Sequence, residues 1–394
     1  MSALGAAALF AGCSDFGSSV RIAPPGRAID SQARSSYRVL YSFAGAGSDG
    51  FKPQAGLIDL NGTLYGTTTF GGLNNHGTVF SVSMTGGEHV LHSFAGGVND
   101  GGYPYASLTN VGGKLYGTTY ADGANGRGTV FSVSTSGRER IVRSFVKGAY
   151  PTASLIDVKD RLDGSTTEGG AYAFGMVFRM SKKGSIHMLH SFGPSSRRGA
   201  QPEAGLISVN GTLYGTTVHG GKAGWGTVFS VSATGRERVL HGFRGGPADG
   251  ATPAAGLIDV NGTLYGTTIE GGAYGWGIVF SINATGRERV LHNFVGAPAD
   301  GAFPVANLID VDGRLYGTTI AGGSGCGSYG CGTVFSISTT GKERVLYSFA
   351  GPPDGLQPKA SLIAVNGTLY GTTSEGGTHS CYSTGCGTVF ALTP

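Results

Sequence analysis

A chain of 394 residues has room for two or three ordinary domains, but 73 glycines and only 13 % charged residues are far from an ordinary mixture. The glycines follow no third-residue period, which excludes a collagen-like rod. The net charge of +4 includes no basic block, which argues against nucleic acid as a partner.

In chain order, the first segment is Met1 to Gly12, small and apolar, running through Leu9-Phe-Ala-Gly into Cys13. It resembles a bacterial lipoprotein signal, with residues 1–13 as the signal segment and Cys13 as the lipidated residue. Phe10 stands where Leu is usual, and no Lys or Arg precedes the apolar stretch. The alternative is an apolar N-terminus with a stray cysteine. Residues 14–36 are rich in Ser, Ala, Pro and Gly and read as a flexible tether reaching roughly 25–30 Å. No later run of ~20 apolar residues suggests a membrane-spanning helix.

From residue 37 to 394 one unit recurs. Leu-Tyr-Gly-Thr-Thr begins at Leu64, Leu115, Leu213, Leu264, Leu315 and Leu369, with a worn copy, Leu-Asp-Gly-Ser-Thr-Thr, at Leu162. Within the unit from Pro253 to Phe294, Leu257-Ile-Asp-Val is a short strand and Asn261-Gly262 a type I′ hairpin turn. Thr263 to Thr268 is a second strand, Gly277 to Ile282 a third and Glu288 to Phe294 a fourth. Four antiparallel strands in each of seven units predict an all-β, seven-bladed β-propeller. The array opens on a fourth-strand sequence, Arg38 to Phe43, and closes on a third-strand sequence, Gly387 to Leu392. Pairing the two would close the ring with an N-terminal outer strand and remove two open edges. The outer strands carry charge at Arg138-Glu-Arg140, Arg236-Glu-Arg238, Arg287-Glu-Arg289 and Lys342-Glu-Arg344, read as protection against edge pairing.

The unit Asn-Gly-x-Leu-Tyr-Gly-Thr-Thr…Gly-Gly…Gly-Thr-Val-Phe resembles the bacterial GloVer tandem repeat, whose members carry varied surface anchors. It is also similar in outline to Kelch-type propeller repeats. The resemblance implies an exported propeller and carries over no catalytic residue. The third copy departs from the pattern: Asp163 replaces Tyr, Met176 replaces Thr, and one residue reads as inserted.

The loop between second and third strands varies most. The residue before Gly-x-Val-Phe is His76, Arg127, Phe174, Trp225, Trp276, Cys331 and Cys386 in turn, and Tyr172, Tyr274, Tyr329, Tyr382, His219 and His379 share these loops. An invariant scaffold with one variable aromatic rim suits binding of a sugar or a peptide. The competing expectation is that these aromatics wedge between blades. Cys326, Cys331, Cys381 and Cys386 allow two local disulfides, a Cys₄ zinc site or free thiols, of which the disulfides 326–331 and 381–386 are expected. Asp-Gly pairs at Asp49, Asp100, Asp249, Asp300 and Asp354 could ring a Ca²⁺ but are expected to cap their own turns. His92, His190, His241 and His292 share a slot with Tyr41, Arg143 and Tyr347, which argues against a metal position. The chain is therefore read as a monomeric, exported, lipid-anchored binding or scaffolding module of the cell envelope, without cofactor, for a glycan or protein ligand. The alternative is a propeller enzyme such as a glycan lyase or hydrolase.

Overall fold

The structure, a computed structural model, describes residues 36–146, 149–193, 198–283, 285–381 and 383–394. Cys13, the tether up to residue 35 and Tyr382 lie outside the described residues.

Seven four-stranded antiparallel sheets succeed one another along the chain. Blade 5 is typical: Ile258–Val260, Thr263–Thr268, Ile278–Ile282 and Glu288–Asn293 pair in chain order. The seventh blade takes Ile363–Val365, Thr368–Thr373 and Thr388–Thr393, and its outer strand is Ser36–Ser42 from the other end of the chain. The closing register runs from Ser36 opposite Thr393 to Ser42 opposite Thr388. The expected ring closure is thus present. The Asn-Gly turns hold the left-handed geometry their residues allow, with φ of 53° at Asn61 and 81° at Gly62.

The last three letters of Leu-Tyr-Gly-Thr-Thr each have a packing reason. A Cβ on Gly66 would lie 2.6 Å from the Phe80 ring and 2.9 Å from Leu57, so only glycine lets the third-strand phenylalanine cross the second strand. The first Thr ties its blade to the next: Thr67 donates to the Ala106 carbonyl at 3.3 Å, Thr216 to Ala255 at 2.8 Å, and Thr372 to Ala55 at 3.3 Å across the closure. The second Thr meets the Thr of Gly-Thr-Val-Phe, as in Thr68 and Thr78 at 2.8 Å. Most of these buried hydroxyls are thereby satisfied, Thr267 Oγ1 in blade 5 being an exception.

The blades are glued by phenylalanine. The Phe ending each outer strand meets the third-strand Phe of the next blade edge-on, with centroids 5.0–5.5 Å apart, from Phe43 on Phe80 round to Phe349 on Phe390. Each such contact adds about 0.5–1.5 kcal/mol beyond its buried area. At the centre the innermost strands of neighbouring blades touch. There, small residues three positions after the repeat-invariant proline clasp one another: Gly56 N–H donates to Ser107 Oγ at 2.9 Å, and Ser107 N–H to Ser154 Oγ at 3.1 Å. Gly256 N–H likewise donates to Asn307 Oδ1 at 2.6 Å, and Asn307 N–H to Ser361 Oγ at 3.1 Å. These residues encircle and narrow the axis.

Blade 3 contains no inserted residue. Asp163 pairs with Arg179 and Thr166 with Met176 in the same register as Tyr65 with Ser81 and Thr68 with Thr78, so Ser165 simply takes the slot of Thr67. The Tyr/Ser cross-strand pair of five other blades (Tyr/Ala in blade 7) is here exchanged for a bidentate ion pair, Arg179 to Asp163 at 2.8 and 2.6 Å, with Asp163 fully buried. Compensation across the strand keeps the worn copy regular.

Candidate functional site

All seven variable-loop residues are anchored in the same way. The carbonyl of each accepts the N–H of the residue that precedes proline in the next unit: Tyr103 to His76 at 2.8 Å, Thr252 to Trp225 at 2.9 Å, Phe303 to Trp276 at 2.9 Å, and Lys52 to Cys386 at 2.9 Å across the closure. These pre-proline residues, Lys52, Tyr103, Tyr150, Gln201, Thr252, Phe303 and Gln357, all have φ between 44° and 60°. Left-handed backbone is uncommon outside glycine, and seven such residues on one face mark where the fold concentrates strain. Two variable positions from successive units therefore sit side by side on one loop face.

The second member of each pair decides how far the first is exposed. Trp276 is met edge-on by Phe303, centroids 5.0 Å apart, and is half-buried. His76 lies 5.1 Å from Tyr103. The Arg127 guanidinium stands over Tyr150, 5.2 Å from its centroid, and donates to its hydroxyl. Beside Trp225 the partner is only Thr252, and beside Phe174 it is Gln201; the aromatics stay 46 % and 37 % exposed. The Trp225 ring lies over Gly245, where a Cβ would come within 3.1 Å of it. The two equivalent tryptophans thus differ in exposure: Trp276 is half-buried against Phe303, while the Trp225 ring is exposed. Tyr172 and Tyr274, at 59 % and 46 % exposure, extend the open stretch over blades 3 to 5.

The cysteines form two local disulfides, Cys326–Cys331 and Cys381–Cys386, with Cα atoms 5.3 and 4.8 Å apart. Each pair closes on itself, so the four sulfurs do not assemble a zinc site.

A second variable ring escaped the sequence reading. The residues just after the invariant proline are Gln54, Tyr105, Thr152, Glu203, Ala254, Val305 and Lys359. They stand two positions before the narrow ring, where the chain leads into the innermost strand of each blade at the channel mouth. Tyr105 meets Tyr120 edge-on at 5.6 Å, and Tyr120 stacks on Tyr150 at 5.0 Å. Burial pushes the Glu203 carboxyl up. Burial also pushes Lys359 down, against the pull of Glu375. Lys52 lies 3.9 Å from Glu375 on that side. The signal in the sequence was variation at a fixed offset from an invariant proline.

The aspartates cap their turns as expected: Asp49 accepts from Ala44 N–H at 2.6 Å and Gly50 N–H at 2.7 Å. They also do more. Three of them face a histidine in the shared slot of the outer strand and a glutamate of the next blade, giving His92–Asp100–Glu139, His241–Asp249–Glu288 and His292–Asp300–Glu343, with candidate ligand atoms within 4.8 Å of one another. These are the described residues that could hold a cation, although the aspartate oxygens already accept backbone N–H groups, as at Gly250 and Arg244. Where blade 3 supplies Ile186 instead of glutamate, the slot holds Arg143. Burial raises the carboxyls of Glu88, Glu139 and Glu343 to about 7. Asp100 and Asp249 are held below the usual range, because hydrogen bonds from His92 and His241 and from backbone N–H groups outweigh their burial. The glutamate of each Arg-Glu-Arg run therefore turns into the seam between blades rather than guarding the edge, and only the arginines stay outside.

Fold and site together define a closed propeller of one repeated blade, whose loop face and channel mouth each carry a ring of variable residues. The chain belongs to the Gloeobacter/Verrucomicrobia repeat family, whose profile matches residues 26–229 and again 201–394. No curated protein sequence matches it. Among solved structures it is similar to a streptogramin B lyase (12 % identity, TM-score 0.62, 91 % of this chain and 97 % of that one). A virginiamycin B lyase from Staphylococcus aureus follows at 11 % identity and TM-score 0.58, over 91 % and 99 %. A puromycin hydrolase matches at 12 % identity and TM-score 0.51, over 82 % of this chain and half, 50 %, of that one. At such identities the likeness concerns the fold. Among the described residues no helix is long and apolar enough to cross a membrane.

Proposed function

We propose that this chain is an exported binding module that holds a glycan on its loop face, with the open aromatic stretch around Trp225 as the platform. The observation that carries this reading is the pairing of Trp225 with small Thr252 over Gly245, which leaves a flat indole face at the surface of an otherwise repeated scaffold. Trp and Tyr faces suit the apolar faces of sugars, with polar edges left for hydroxyls. Two disulfides support an oxidising compartment. Anchoring through a lipid on Cys13 belongs to the same proposal; fatty-acid labelling of the wild type but not of Cys13→Ser supports it, and equal labelling overturns it. The enzymatic alternative, a lyase or hydrolase, draws on the names of the similar propellers alone and ranks second. The test is a glycan array on the purified protein and on Trp225→Ala. Signals that the variant loses while its melting temperature holds support the platform; an empty array, or signals indifferent to the change, count against it.

A further inference from the structure

We propose that the channel mouth between blades 2 and 4 is a second site, which binds an organic ammonium group in the corner of Tyr105 and Tyr120, facing the Glu203 carboxylate. It shares no residue with the Trp225 platform, so either site can fail without the other.

The corner follows from ring geometry. The planes of Tyr105 and Tyr120 stand at 82°, so the two rings make adjoining walls. Tyr120 is fixed from behind by its stack on Tyr150, at 30° between planes. In the ring of residues that follows the prolines, the position between Tyr105 and Glu203 is Thr152, smaller than either neighbour. Its hydroxyl is turned aside, 2.9 Å from Thr167 Oγ1 and donating to the Glu203 carbonyl at 3.2 Å. That second bond also places Glu203 next along the rim.

The charge follows from what Glu203 lacks. Among the described residues no hydrogen bond or ion pair reaches its carboxylate, although the side chain is partly withdrawn from water. A carboxylate so placed favours a cationic partner. One carboxylate is too few for Ca²⁺, which takes 6–8 oxygen ligands, and tyrosine faces attract organic cations through their quadrupole. The protein uses the same contact nearby, where Arg127 covers Tyr150.

The test is competition in saturation-transfer NMR and calorimetry on the full chain at constant ionic strength. The probes are tetramethylammonium, choline and choline's neutral isostere 3,3-dimethylbutan-1-ol. Choline is expected to bind saturably, with displacement by tetramethylammonium and at least about tenfold weaker binding of the isostere. Glu203→Gln and Tyr120→Leu should each weaken choline roughly 2- to 30-fold, the range of a desolvated cation–π or charge contact, and Tyr120→Phe should keep it. An isostere that binds as well as choline, no saturable choline binding, or a Glu203→Gln protein that binds unchanged would each overturn the proposal. The wild-type competition decides the matter even where Tyr120→Leu fails to fold.

Discussion

Replacing Arg179 with serine, the residue its slot holds in blade 1 as Ser81, strips the partner from a carboxylate that has no access to water. Asp163 is fully buried, and Arg179 supplies both of its side-chain bonds, at 2.8 and 2.6 Å. Breaking a buried pair from one side leaves an uncompensated charge and costs about 3–5 kcal/mol. Exchanging both residues behaves differently. Asp163→Tyr with Arg179→Ser rebuilds the Tyr65/Ser81 pair of blade 1 in an identical register, so the double variant should recover the loss and fall between the wild type and about 1–4 kcal/mol above it. Urea midpoints of the four proteins, compared at a common slope, give the coupling energy. If Arg179→Ser costs under about 1 kcal/mol, or if the double variant is no more stable than the single one, the account of blade 3 as a compensated swap is wrong.

The paired tryptophans should separate in the same assay. Trp276→Ala, which strips a half-buried ring from Phe303, should cost about 2–3 kcal/mol, and Trp225→Ala well under that, since the fully buried case is about 3–5 kcal/mol. The seam glutamates predict a pH dependence. Carboxyls raised to about 7 at Glu88, Glu139 and Glu343 bind more protons folded than unfolded. Their stabilisation is therefore full below the unfolded value of about 4.3 and is lost as pH rises through 7. The lowered Asp100 and Asp249 act in the opposite sense, losing stability as pH falls below the ordinary carboxylate range. Urea midpoints at pH 5 and pH 8 should show the alkaline decline, and Glu343→Gln should flatten it. Deleting residues 36–42 should bare the edge of Thr388–Thr393, seen as concentration-dependent light scattering.

The architecture was legible because repetition multiplies weak signals. One Asn-Gly turn says little, but four such turns at matched offsets from Leu-Tyr-Gly-Thr-Thr fix strand order, and spare strand sequences at both ends announce the closure. The site was legible only in half. Trp225 and Trp276 occupy one slot in sequence, and nothing local distinguishes them; they differ in the residues beside them, Thr252 and Phe303, about half a repeat further on. The same blindness hid the seams. His92 shares its slot with Tyr and Arg, which looks like tolerance, yet the slot answers to Asp100 eight residues on and to Glu139 in the following blade. Contacts between successive units are invisible to a reading that aligns units one upon another. Blade 3 is a different case: Phe178 follows Leu162 by 16 residues, just as Phe80 follows Leu64, so the regular spacing was in the sequence, and only the Asp163–Arg179 pairing needed the structure.

The closure of the ring also sets a clock on biosynthesis. The strand that completes blade 7 is the first of the propeller to be made, and its partner Thr388–Thr393 is the last. At ~5–20 residues per second the interval on the ribosome is roughly 20–70 s. Throughout it Tyr37, which ends stacked on Tyr347 at 3.9 Å, and Phe43, which ends against Phe80, belong to a strand without its sheet. The nascent chain accordingly emerges with its latch exposed, and a chaperone that shields this stretch until the last repeat arrives would raise the yield of closed rings.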